Sequence, residues 1–301
     1  MQERLDYSRA RACFANFTRS AFGGRFRHLR TAAATTLAAF FLSASPAAVA
    51  APSGPSAAVA AQRGPALWIV QDADTTIFLF GTFHALDAQT AWFNRSVRAA
   101  FELSDELMLE TLVPEDPGEL HAALARNAFA GEPRVGEPVI SGGAPPFVAS
   151  AGQAMSAGRS MGMSVDNGAD AVLRRAANAS GKPVGGLESF EFQLRMFGSL
   201  PPPSSGPARN DVGGFLGDMQ SAWKRGDNAA FATVLGNVRA SSPQAYKTLF
   251  SDRNASWAGW IAERMARPGT VFLAVGTGHL IGPDSVQQQL ATRGIQAARI
   301  A

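Results

Sequence analysis

Histidine is scarce in this 301-residue chain, and two of its four histidines sit in one repeated pattern. Gly81-Thr82-Phe83-His84 and Gly276-Thr277-Gly278-His279 both read G-T-x-H, and each follows an apolar, strand-like run, Ile77 to Phe80 and Val271 to Val275. Two carboxylates occupy the same kind of position: Glu110 follows Leu107-Met108-Leu109, and Glu188 follows Val184 to Leu187. Two imidazoles with one or two carboxylates suit a divalent transition ion such as Mn, Co or Zn. Such an ion polarises a carbonyl and makes a hydroxide nucleophile near neutral pH, and a carboxylate that does not ligate is a candidate general base. His84 and His279 are therefore candidate metal ligands, joined by one or both of Glu110 and Glu188, and a carboxylate left out of the ligand set is the candidate acid–base group. Glu188 equally suits the start of an exposed helix. Arg253, in Ser251-Asp252-Arg253-Asn254, either clamps a carboxylate or forms a surface ion pair. His121 reads as solvated. Gly81 and Gly276 are expected to allow a tight turn that brings each imidazole back over its strand end, with Thr82 and Thr277 holding that turn.

The elements that must position these groups follow from hydrophobic periodicity. Residues 67–70 and 76–80 flank Asp72-Ala73-Asp74 and read as a hairpin. Residues 76–110 read as strand, loop with His84, helix over 90–103, strand, Glu110. A crossover helix makes the two strands parallel, so His84 and Glu110 lie at one edge of the sheet. Ligands in open α/β sheets bind at that carboxyl edge. Further on, helices are expected at 117–130, 170–178 and 190–197, with a strand at 182–187. The Gly/Pro/Ala/Ser-rich stretch 131–160 reads as a loop or cover. The proline run at 201–203 is a breaker. Residues 214–267 read as helical, punctuated at Gly226-Asp227, Ser242-Pro243 and Asp252-Arg253-Asn254. The chain closes with strand 271–275, a loop carrying His279, helix 284–293 and a short strand within 295–300.

Residues 1–50 have the layout of a secretory signal: seven arginines against two acids, an uncharged apolar stretch from Thr31 to Ala44, and Ala48-Val49-Ala50 at the cut. Residues 51–64 read as a linker and 65–301 as one domain. The expected location is periplasmic or secreted, with no membrane span left after cleavage. The formal net charge of +3 is carried by the leader, which leaves the rest slightly acidic and gives no case for nucleic acid. The single cysteine, Cys13, is also in the leader, so thiolate ligation and disulfides drop out.

The paired G-x-x-H motifs with a glutamate between them are similar to those of the TraB/GumN family, itself related to the Tiki metalloproteases. The resemblance runs from about residue 66 to 300. It rests on SDELMLE at 104–110, NGADAVLRRAANASGKPVGGLESFEFQL at 167–194, AWKRGD at 222–227, SDRN at 251–254 and VFLAVGTGHLIGPDSVQQQLATRGI at 271–295. It implies an α/β fold: a mixed β-sheet built from two related halves, with flanking helices and a largely helical middle insertion. It also implies His84, Glu110 and His279 at a metal site, supported by Glu188 and Arg253. Family members are variously linked to metal-dependent peptide cleavage, peptide pheromone shut-off and exopolysaccharide gene clusters. The expected function is thus an exported metal-dependent hydrolase acting on a peptide or amide bond. The competing reading is a non-enzymatic binding or assembly factor for a peptide or an envelope polysaccharide. Substrate, ion and oligomeric state are not written in the sequence.

Overall fold

A computed structural model of the chain describes residues 64–127, 146–200 and 211–301. The expected signal and most of the linker, the stretch 131–145 and the proline run at 201–203 lie outside the described residues.

The main sheet has six strands in the order β6-β4-β7-β2-β1-β8: β1 (Leu67–Gln71), β2 (Thr75–Thr82), β4 (Glu106–Thr111), β6 (Val184–Glu188), β7 (Gly269–Gly276) and β8 (Ala298–Arg299). β6, β4, β7 and β2 are parallel; β1 and β8 continue the sheet antiparallel. A two-residue ladder joins β3 (Leu86–Asp87) and β5 (Met163–Ser164). The mixed α/β class expected from the sequence is the one observed.

β2 and β7 are buried on both faces, which is why they read as unbroken apolar runs. One face packs Phe78, Phe80, Leu107, Leu109 and Phe272 under α1 (Arg95–Leu103), α4 (Ala169–Ser180), α5 (Phe190–Ser199) and α6 (Val212–Lys224). The other packs Ile77, Leu79, Val271 and Leu273 under α9 (Asp252–Arg264) and α10 (Val286–Ala291). α1 shows the local logic. Asn94 caps it by accepting from Val97 N–H, and its buried stripe is Val97, Ala100 and Phe101. It returns the chain from β2 to β4, with β7 lying between the two strands.

Helices α2 (Pro117–Arg126), α3 (Pro146–Ser160), α7 (Asn228–Ser241) and α8 (Pro243–Tyr246) are the other α-helices among the described residues. Two expectations change. The second half of the 131–160 stretch is helix α3, because alanines outnumber its three glycines and prolines and keep a helix affordable there. The expected break at Asp252-Arg253-Asn254 is absent: the helix widens to a π turn over Lys247–Ser251 and runs on as α9. No described helix is long and apolar enough to cross a membrane.

Trp223 of α6 locks the first face. Its ring lies against Phe80, Phe83 and Trp92, and its indole N–H donates to the Gly81 carbonyl at 2.8 Å in a buried setting. Trp223→Phe leaves that carbonyl without its donor and removes ring volume, so it should cost about 1–3 kcal/mol in urea unfolding. A loss under about 0.5 kcal/mol, the range of neutral surface changes, would show that the bond does not matter.

Candidate functional site

His84, Glu110, Glu188, Arg253 and His279 all converge at the carboxyl edge of β2, β4, β6 and β7. His84 lies two residues past β2 and His279 in a 3₁₀ turn, Thr277–Leu280, directly after β7. Glu110 is inside β4 and Glu188 is the last residue of β6.

Arg253 is at the centre and only 3% exposed; the surface ion pair is excluded. Its Nε donates to Glu188 Oε1 at 2.8 Å, and its Nη2 donates to Glu188 Oε2 at 2.7 Å and to Glu110 Oε1 at 2.6 Å. Its Nη1 donates to the Leu249 carbonyl at 3.0 Å and to His279 Nε2 at 3.2 Å. The guanidinium plane lies over Trp257, whose indole N–H donates to Glu188 Oε1. Gln193 bridges the two carboxylates, and Gly276 N–H donates to Glu110 Oε2 at 3.0 Å. Burial opposes charge on Glu110, but Arg253, the two imidazoles and the Gly276 amide outweigh it and hold its carboxyl well below the usual range.

The two histidines sit in different environments, contrary to the equivalence their motifs suggest. Gly81 pairs with Val275 and Thr82 with Gly276, so the motifs are one residue out of register on adjacent parallel strands. A one-residue offset reverses the face to which corresponding side chains point: Phe80, before the first motif, packs on one face and Val275, before the second, on the other. His279 is fully buried between Phe250 and Trp257. Since Nε2 accepts from Arg253, its proton is on Nδ1 and is donated to Asn254 Oδ1 at 2.7 Å. Burial, then Arg253, pushes its pKa down to about 3, leaving a neutral ring. His84 donates from Nδ1 to Asp170 Oδ2 at 2.8 Å. Burial works against its charge, but Asp170 and, more distantly, Glu110 raise its pKa to about 9. Its Nε2 is buried with no partner among the described residues.

The glycines act through missing side chains rather than through a special turn; neither Gly81 nor Gly276 has a positive φ. A Cβ on Gly276 would stand 2.9 Å from His84 Nε2 and 3.3 Å from Glu110 Oε2, so glycine leaves a shared space beside both atoms. A Cβ on Gly81 would meet Thr277 Oγ1 at 2.9 Å. That hydroxyl donates across the strands to the Thr82 carbonyl, whereas Thr82 Oγ1 has no partner among the described residues. A cavity of about 30 Å³ adjoins His84, walled by Phe83, Phe215, Met219, Phe231 and Phe250.

Sequence reasoning missed four supporting side chains: Asp170, Gln193, Asn254 and Trp257. Asp170 enters with the first turn of α4, whose capping Gly168 must lack a side chain because a Cβ would fall 2.0 Å from the His84 carbonyl. Gln193 had a legible signal, as the one amide in the buried stripe Phe190, Leu194 and Phe197. His121 is exposed, as expected.

The donor set fits a divalent ion in chemistry. Both imidazoles have Nδ1 held by an oxygen acceptor, which turns Nε2 inward as a ligand. Glu110 and Glu188 face one guanidinium and Asp170 faces His84; a protonated His84 leaves one negative charge over in this set of three carboxylates and one guanidinium, and a divalent ion in place of that proton balances it. The shared space at Gly276 serves His84 Nε2 and Glu110 Oε2 directly. His279 Nε2 is 3.9 Å from Glu110 Oε2 but already accepts from Arg253, and no three such side chains are grouped closely enough to hold an ion as they stand among the described residues.

With this geometry in place, comparison with known proteins gives one match: the model of the TraB/PrgY/gumN family covers residues 66–135 and 139–299. The chain belongs to that family. No curated protein and no solved structure matches it.

In protein stripped with EDTA, NMR of the imidazole rings should show His84 titrating near pH 9 and His279 near pH 3. The raised His84 value means that its stabilisation is complete below the ordinary histidine pKa of 6.5 and is lost as pH rises through about 9. The depressed His279 value makes folding weaker as pH falls from 6.5 toward about 3. Two rings titrating together near 6.5 would refute the distinction. Separately, Arg253→Ala strands two buried carboxylates and should cost about 3–5 kcal/mol in denaturant unfolding; a loss below about 1 kcal/mol would remove Arg253 from the centre of the fold.

Proposed function

We propose that this TraB/PrgY/gumN family member is an exported metal-dependent hydrolase that cleaves a peptide or amide bond at the carboxyl edge of its sheet. The observation that carries this reading is His84: its Nδ1 is fixed by Asp170 and its buried Nε2 stands unpartnered beside Glu110, in the space that Gly276 leaves open. His84 Nε2 and Glu110 Oε2 would hold the ion, with His279 Nε2 as third ligand once Arg253 Nη1 yields it. When bound, a Mn, Co or Zn ion polarises the scissile carbonyl and lowers the pKa of water.

The chain's own residues supply the rest. Asp170 fixes the His84 tautomer and increases the basicity of Nε2. Asn254 does the same in orientation for His279. Glu110, kept ionised by Arg253, suits a ligand better than a general base, since a carboxylate with a strongly lowered pKa is a poor proton acceptor near neutrality. Phe83, Phe250 and Met219 wall the small cavity beside the imidazole of His84 with apolar surface. Export is read from the basic, apolar and small-residue layout of residues 1–50.

A second reading has its own observation. Arg253 Nη1 fills the lone pair of His279 Nε2, which suits a binding protein for a peptide or an envelope polysaccharide in which the cluster is purely structural.

Metal analysis of untagged protein separates the two. Wild type should bind about one Mn, Co or Zn per chain, and His84→Ala and Glu110→Gln should lose it while staying folded by circular dichroism. Peptide hydrolysis should fall at least about a hundredfold in both variants. Metal uptake equal to wild type in both variants sinks the ligand assignment. Saturable ligand binding by a wild type that takes up none of the three ions on titration supports the binding-protein reading.

A further inference from the structure

The threonines of the two G-T-x-H motifs are used differently. Thr277 Oγ1 donates to the Thr82 carbonyl, whereas Thr82 Oγ1 makes no hydrogen bond among the described residues, although Thr82 is only 2% exposed. Thr82 ends β2 on the face that carries Phe78 and Phe80, where an isosteric valine would suit both the strand and the core. A hydroxyl buried there without a partner costs free energy that valine would not. The backbone that carries it is held on both sides: the Gly81 carbonyl accepts from Trp223, and the Thr82 carbonyl from Thr277.

Three buried side-chain polar atoms have no partner among the described residues. Two of them, Thr82 Oγ1 and His84 Nε2, belong to residues that line the same cavity. Thr82 and Gly276 are register partners on adjacent parallel strands, so their side-chain positions lie side by side on one face, about 4.8 Å apart. Gly276 leaves its position empty of side chain, and a Cβ there would stand 2.9 Å from His84 Nε2. The hydroxyl and the imidazole nitrogen therefore border one opening. The cavity measures about 30 Å³, room for about one water. A buried water needs at least about two polar partners. The two unused atoms supply them, and most of the remaining wall is aromatic.

We propose that Thr82 is a further residue of the site: with His84 Nε2 its hydroxyl binds one water in this cavity and orients that water as the nucleophile of the hydrolysis. The inference rests on the hydrolase reading and adds the place of the reacting water and the group that directs it. Thr82 Oγ1 accepts one O–H of the water, which turns the oxygen lone pairs away from the hydroxyl. In the reaction the water oxygen bonds the carbonyl carbon and the C–N bond breaks. One hydrogen of the water ends on the new carboxyl group and the other on the leaving amine. Thr82 is not one of the candidate ligands, so its hydroxyl remains a contact for the water when His84 Nε2 serves as a ligand.

The test compares wild type with Thr82→Val, which keeps the side-chain shape and removes the hydroxyl, and with Thr82→Ser, which keeps the hydroxyl. Crystal structures of the EDTA-stripped proteins should show a water within about 3.2 Å of both Thr82 Oγ1 and His84 Nε2 in wild type, and none there in Thr82→Val. Kinetics use a peptide found cleaved in a random heptapeptide mixture and then resynthesised. Thr82→Val should lose about tenfold or more in kcat, with KM within about twofold and ion uptake equal to wild type. Thr82→Ser should recover most of the loss. A wild-type cavity with no water bridging the two atoms overturns the proposal. So does wild-type kcat in Thr82→Val, or an equal loss in both variants. The hydrolase reading fails separately. A wild type that holds the water but cleaves no peptide of the mixture and takes up no ion removes that reading, and the nucleophile role with it, while the bound water stands. Cleavage without the bridging water removes this inference alone.

Discussion

The buried guanidinium of Arg253 is the interaction on which the site and much of the fold depend. Arginine has five N–H donors, and here all five are used: two on Glu188 with Nε and Nη2, one on Glu110, one on the Leu249 carbonyl and one on His279. A charge that is 3% exposed is tolerated only when it is fully paired and hydrogen-bonded. Those partners come from β4, β6, the 3₁₀ turn after β7 and the helix on which Arg253 itself sits. One side chain thus ties three strand ends to a helix, and it sets the protonation of its neighbours: Glu110 stays ionised and His279 stays neutral.

The π turn just before Arg253 belongs to the same arrangement. Widening a helix by one residue rotates everything after it by about 100° relative to what precedes it. Tyr246 and Leu249, before and in the turn, pack in the core with Phe250 on the first face, while Trp257 and Ile261, after it, pack on the second. The shift falls where the helix passes from one face of the sheet to the other, and Arg253 lies at that crossing. It can therefore reach carboxylates at the rim from a helix that also buries the apolar Trp257, Ala258 and Ile261.

Much of this was legible in the sequence because it follows from periodicity. The hairpin, the β2–α1–β4 unit, the shared carboxyl edge and four of the five candidate side chains, all but Arg253, rest on apolar runs ended by a polar group. What was not legible depended on register and through-space contact. The two G-T-x-H motifs look equivalent, but nothing local states that β2 and β7 pair one residue out of step, and that offset makes one histidine an inward-facing, aspartate-paired ring and the other a neutral core ring. Asp170 and Asn254 were hidden for a related reason: each is 25 or more residues away in sequence from the imidazole it orients, or on a helix turn that reads as a break. The glycines were recognised, but for the wrong property. Their backbone angles are ordinary; their value is the Cβ that Gly276 does not place between His84 and Glu110.

The cover over His84 shows how the remaining elements serve this arrangement. α6 supplies Phe215 and Met219 to the cavity wall; Asp211 caps its first turn by accepting from Gly214 N–H, and Gln220 ties it to the segment after His84 by donating to Asp87 at 2.6 Å. Its contacts with the α3–β5 segment include Gly213 and Gly217 beside Met161, and Leu216 beside Gly158 and Met163. This wall is apolar and encloses a cavity of about 30 Å³ beside His84, and a low-dielectric surrounding strengthens the charge interactions next to it. Four phenylalanines and Met219 make up most of the wall, so the charged groups fixed at the rim by Arg253 face an aromatic wall on the side of His84.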